Sequence, residues 1–116
     1  MGYPVDEIIL VLTNLPNRDS AQQLAQALIE NRTAACVNIL AECSSIYRWQ
    51  DKVETANEFP LLIKTTRAAY PRLEATIRTH HPYELPEIIA VPLSTGFSGY
   101  LQWVAQETKA SENEGN

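Results

Sequence analysis

The sequence predicts an α+β domain of the ferredoxin-like, split βαβ type, in the element order βαββαβα. Three observations carry this. Short apolar runs rich in β-formers alternate with segments of helical spacing. The two central β-rich stretches adjoin across "QDK", as a hairpin does, and this joins two βαβ halves. Those two strands run to about 15 residues each, where five or six is usual.

Each element follows from its residues. "DEIILVLTN" is a continuous apolar run ended by turn residues, hence a buried strand. In "RDSAQQLAQALIENR", Ala21, Leu24, Ala25, Leu28 and Ile29 recur on one helical face. Asp19 with Gln22 resembles a capping box at its start. "AACVNILAECSSIYRWQ" reads as one long strand, and "KVETANEFPLLIKTT" returns beside it. "AAYPRLEATIRTH" carries Tyr70, Leu73 and Ile77 at helical spacing. Pro71 is tolerated only in a first turn, so this helix is expected from near Ala68. "PEIIAVPLS" is a last strand. "FSGYLQWVAQE" is a closing helix with Ser98 as N-cap and Phe97, Tyr100, Leu101 and Val104 on one face. One domain is expected over residues 1–108. The polar, aromatic-free stretch 109–116 reads as a disordered tail.

Composition excludes several function classes. The chain has 116 residues, the length of one ordinary domain, and 45% hydrophobic residues, enough for a core. Its net charge is −5, without a Lys/Arg cluster, which argues against nucleic acid and anionic membranes as partners. The longest apolar run, Ile8 to Leu12, cannot span a bilayer, and no positive segment precedes it as in a signal peptide. Met1-Gly2 invites a myristoylation reading, but Asp6 stands where Ser or Thr is wanted. A cytoplasmic protein is the default expectation. The two cysteines, Cys36 and Cys43, would lie roughly 23 Å apart along one strand, too far for a disulfide. That fits a reducing compartment.

The hairpin carries a further implication. Its far end, near Tyr47, Trp49, Lys52 and Val53, would project past the helices as a long apolar edge. Such an edge invites pairing with another chain, so an oligomer is expected. Tyr47, Trp49, Tyr100 and Trp103 fit interface packing better than ligand stacking.

The stretch "THHPYELPEII" reads first as a rigid corner between helix and strand. His80 and His81 are adjacent and point apart, unlike a helical i, i+4 ligand pair. His80 suits the helix C-terminus, where a cationic ring is favourable. Pro82 pushes His81 out of the helical region and ends the helix. Pro86 fixes the approach to the last strand. Tyr83, Glu84 and Glu87 are then held in fixed directions on this corner.

No catalytic constellation emerges. "TGFSG" is not a nucleophile elbow, because the second Gly falls one residue early. "GFSG" matches a GxxG loop but lacks flanking basic residues. Cys36 and His81 are the residue types of a thiolate–imidazole pair, but nothing in the sequence brings them together. No catalytic residue is therefore assigned. The βαββαβ order is shared with RNA-recognition motifs, yet "EFPLLIKTT" lacks their aromatic and basic third-strand signature.

The combination of "AACVNI", "SIYRWQ", "FPLLIKTT", "HHPYELPEII" and "GYLQW", in this order, resembles the CutA family of divalent-cation tolerance proteins from Ile8 to about Trp103. The resemblance implies a ferredoxin-like homotrimer similar in build to the PII signalling proteins. It implies an association with copper or another divalent metal, no required cofactor and no enzymatic reaction. It carries the corner residues His81, Tyr83, Glu84 and Glu87, with Cys36 and Lys64, onto clefts between subunits, where ligands are commonly bound. With His80 beside them, the expected metal ligands are Cys36, His80, His81, Glu84 and Glu87. Lys64 and Tyr83 are expected to line the cleft, and Tyr47, Trp49 and Trp103 to lie in the interface. A purely structural trimer that binds copper only through exposed side chains fits the same residues. The chain departs from the family at the hairpin turn, where Asp51 replaces the usual Gly.

Overall fold

A computed structural model describes residues 7–110. The tail residues 111–116 and the segment 1–6, including Asp6, lie outside the described residues. Strand β1, Ile8–Leu15, leads into helix α1, Arg18–Glu30. Strands β2, Cys36–Ile39, β3, Cys43–Trp49, and β4, Lys52–Thr66, follow. Helix α2, Tyr70–His80, strand β5, Ile89–Pro92, and helix α3, Ser98–Glu107, complete the chain. All pairings are antiparallel, in the order β2-β4-β1-β5, with β3 continuing along β4. The α+β class and the ferredoxin-like arrangement are those expected from the sequence.

One strand was expected where β2 and β3 stand. Ile39 faces Leu61 while Cys43 faces Glu58, so residues 40–42 oppose only 59 and 60. That is one residue too many, a β-bulge, which bends a strand and strengthens its twist. The break coincides with Pro60. Its carbonyl accepts from the Leu40 N–H at 2.9 Å, but it has no N–H to return.

Sequence signals at the helix starts are corrected by one or two residues. Helix α1 is capped by Asn17, whose side chain accepts the Ser20 N–H at 2.8 Å, and Asp19 sits inside the first turn. The Asp19–Gln22 capping box does not form. An N-cap at position 17 puts the Asx oxygen directly on the third donor of the helix. Helix α2 starts at Tyr70, after Thr66 and Arg67 carbonyls have taken the Ala69 and Tyr70 N–H groups in a tight turn. Phe97, not Ser98, occupies the N-cap of α3.

The core lies between one sheet face and helices α1 and α2. Ile9, Val11, Leu15, Leu61 and Ile63 meet Leu24, Leu28, Leu73 and Ile77 there. Alternation along the strands then dictates the other face. The paired rows there are Cys36–Lys64–Leu10–Val91 and Asn38–Leu62–Leu12–Ile89. Only Val104 of α3 is fully buried, whereas Phe97 is 79% exposed, so the expected four-residue face does not pack within the chain. The C-terminus of α3 has no basic residue in its last turn. Two arginines from elsewhere serve it: Arg32 donates to the Gln106 and Lys109 carbonyls, and Arg72 to that of Thr108.

The hairpin turn is a two-residue connection with Gln50 at φ 51° and Asp51 at φ 67°, both left-handed. Asp tolerates this region less well than Gly, so Asp51→Gly is expected to stabilise the fold by about 0.5–1 kcal/mol. A rise of the denaturation midpoint at unchanged m-value would register it. An unchanged or lowered midpoint would show that Asp51 is held by something other than its backbone.

Candidate functional site

Two polar clusters hold the residues singled out in the sequence. The first is the corner after α2. His81 has φ −80° and ψ 131°, the extended geometry that a following proline imposes. This turns its ring inward, where it is buried. Nδ1 accepts the Tyr83 N–H at 3.2 Å. Nε2 must therefore carry the proton, which it donates to the Asn14 carbonyl at 2.6 Å. Burial lowers the His81 pKa, against the opposing pull of the Asn14 bond and the Glu58 charge. Both ring nitrogens are thus engaged inside the protein.

Tyr83 packs its ring 4.8 Å from that of His81 and donates its hydroxyl to Glu58 Oε2 at 2.9 Å. Burial, then the bond to Glu58 and its charge, and the nearby Tyr47, push its pKa up to about 12. Glu87 accepts from the Asn14 side-chain amide at 3.1 Å. His80 stays exposed, and its Nδ1 donates to the Thr76 carbonyl at 2.9 Å, which leaves Nε2 as the outward nitrogen. Glu84 is also exposed and lines a shallow groove of about 400 Å³ with Arg78, Thr79, Tyr83 and Pro86.

The second cluster lies on the open sheet face. Cys36 and Lys64 are cross-strand partners. The Lys64 ammonium donates to the Asn38 side-chain carbonyl, which lies 4.0 Å from the Cys36 sulfur. Tyr100 reaches this thiol from α3, and its pKa is raised by burial and then by the charge and hydrogen bond of Cys36. Trp103 stacks on Tyr100 at 5.5 Å.

Within one chain these clusters stay apart. Glu58 and Lys64 anchor them on the same strand, six residues or roughly 20 Å apart. Among the described residues no three His, Cys, Asp or Glu side chains group as a metal site. The expected ligands therefore divide, with Cys36 on the sheet and His80, His81, Glu84 and Glu87 at the corner. Glu58, Asn14 and Asn38 were missed. Strand alternation could have found Glu58, because positions 58, 60, 62 and 64 share the face of Lys64.

Around both clusters the surface is apolar. Ile46 is 73% and Val53 67% exposed, and Tyr47, Trp49, Ile89, Val91 and Trp103 are also open to solvent in the single chain. Cys36 and Cys43 are free thiols. No helix among the described residues is long and apolar enough to cross a membrane.

The model of the CutA1 divalent ion tolerance protein family matches residues 9–107. The chain belongs to that family. It is 42% identical over 104 residues to the divalent-cation tolerance protein CutA of Thermus thermophilus, covering 90% of this chain and 99% of that one. The solved Thermus thermophilus structure superimposes with a TM-score of 0.86 over 88% of this chain and 99% of that chain. The Oryza sativa CutA1 structure gives 0.88 at 35% identity, over 94% of this chain and all of that one. The Homo sapiens protein CutA is 39% identical over 94% of this chain, which spans only 61% of that longer relative. Family members take their name from tolerance of divalent ions and not from a reaction.

Proposed function

We propose that this protein is a non-enzymatic homotrimer that binds a divalent metal, copper in the first instance, or a small ligand in the clefts between its subunits. The observation that carries this reading is the apolar surface of the hairpin and open sheet face, which runs beside both polar clusters. Apolar exposure on that scale marks an interaction surface. Three-fold closure pairs every sheet edge with a neighbour and leaves none exposed. Assembly would also let one subunit complement another's ligands, which a single chain keeps apart. Cys36 would favour Cu(I), whereas the outward Nε2 of His80 with Glu84 or Glu87 would suit Cu(II). His81, with both nitrogens engaged, would ligate only after giving up an internal bond. A reducing, cytoplasmic compartment suits the two free thiols.

Light scattering and calorimetric copper titration test this together. The expected result is a trimer that binds one copper per subunit with a single constant. Cys36→Ser or His80→Ala should weaken binding at least about tenfold. A folded monomer would sink the assembly. The division of the ligands within the chain favours a second reading, a structural trimer with adventitious metal binding. Weak binding of variable stoichiometry, indifferent to both substitutions, would select it.

A further inference from the structure

Among the described residues, one side-chain hydrogen bond joins the corner to the hairpin. Glu58 is a buried carboxylate at the base of the hairpin, facing Cys43 where β3 begins. Its only side-chain hydrogen bond among the described residues comes from the Tyr83 hydroxyl. Tyr83 packs its ring against that of His81, and its own N–H holds the His81 ring. His81 in turn holds Asn14 at the end of β1. The hairpin's bulge at residues 40–42 lies immediately outside Glu58, so the ladder there has a natural place to bend. A corner that shifts must pull on the hairpin base, and a hairpin that docks must fix the corner.

We infer that the Tyr83–Glu58 hydrogen bond is a positioning link that makes corner geometry and hairpin docking one equilibrium, so that a cation at the corner and assembly through the hairpin reinforce or oppose each other. This rests on the assembly reading above and extends it. Such coupling is reciprocal: whatever copper does to assembly, assembly does to copper affinity. The bond suits the task because its acceptor is a buried charge. Removing the hydroxyl strands that charge, whereas removing both partners leaves a nearly neutral apolar contact.

The test follows Tyr83→Phe in the full chain by amide hydrogen exchange. The expected result is exchange faster by roughly tenfold or more both at residues 83–85 and at the hairpin base, residues 43–47, with residues 8–12 of β1 unchanged. Acceleration confined to the corner would overturn the inference. The double variant Tyr83→Phe with Glu58→Met should restore slow exchange at the hairpin base while abolishing any effect of copper(II) on trimer dissociation. A double variant whose dissociation still responds to copper(II) like the parent would also overturn it. The assembly reading fails separately: a parent chain that is monomeric by light scattering ends that reading, while exchange at the hairpin base still decides whether the link exists. If Tyr83→Phe alone does not fold, Glu58→Gln keeps an acceptor oxygen and should leave hairpin-base exchange near the parent's. Exchange as fast as expected for the lost bond would then count against the link.

Discussion

His81→Ala is expected to lose about 2–4 kcal/mol of folding stability and to flatten the acid limb of the stability–pH curve. The last β1–β5 pair is Leu12 with Ile89, so on the β5 side the ladder has ended before Asn14, although β4 still pairs with β1 there. The imidazole Nε2–H takes the place of the missing strand donor on the Asn14 carbonyl. Alanine leaves that carbonyl and the Tyr83 N–H unserved and opens a void against the tyrosine ring. The pH effect follows from the lowered pKa in the fold. Its ordinary value in the unfolded chain is about 6.5, so the unfolded state takes up the proton first as pH falls. The contribution is therefore complete above about pH 6.5 and is lost on acidification towards the lower folded value. Urea titrations at pH 7 and pH 5 measure it. His81→Gln, which keeps an amide donor and acceptor but does not titrate, should show a smaller loss between the two pH values than the parent. Equal losses would show that carboxylates, not His81, govern the acid limb.

Much of the fold was legible because it rests on local pattern. The helical face Ala21, Leu24, Leu28 packs as spaced, and the run Ile8 to Leu12 is a central strand. The overlong β4 was visible in the same way. The bulge was not, since it depends on register between segments about twenty residues apart. The closing helix misled for a different reason. Phe97, Tyr100 and Leu101 have helical spacing, but a single chain offers them little core to enter. At the corner, the role of the prolines was readable, with Pro82 taking His81 out of the helix as expected, but the inward turn of the His81 ring was not. The partners that hold the corner were not readable either, because Asn14 lies 67 residues from His81 and Glu58 lies 25 residues from Tyr83. Metal-ligand residue types can be read from a sequence, but whether their lone pairs are free is a tertiary fact, and here the two adjacent histidines differ in that respect.

Val53→Asp is expected to dissolve the proposed trimer while sparing the chain's own fold. Val53 is 67% exposed, so a single chain pays little for the change, about 0.5 kcal/mol or less. It lies across from Arg48 on the projecting part of the hairpin, next to the turn. If a neighbour covers this surface, the carboxylate must be desolvated at every interface, a cost of several kcal/mol each that Arg48 across the strand offsets only in part. Three such interfaces close a ring, so the penalty multiplies, and a shift from trimer to monomer at micromolar concentration is the expected outcome by sedimentation. Trp49→Ala tests the same surface by subtraction. The indole is 36% exposed in the single chain, so its full burial depends on a neighbour. A loss of about 3–5 kcal/mol would require that burial, and a smaller loss would place Trp49 at the rim. Both losses should grow less visible as protein concentration rises, because assembly stabilises by mass action. Circular dichroism of Val53→Asp should match the parent. A variant that stays trimeric with an unchanged, concentration-independent melting temperature would remove the hairpin from the interface and leave the open sheet face of Leu10, Leu12, Ile89 and Val91 as the surface through which copies meet.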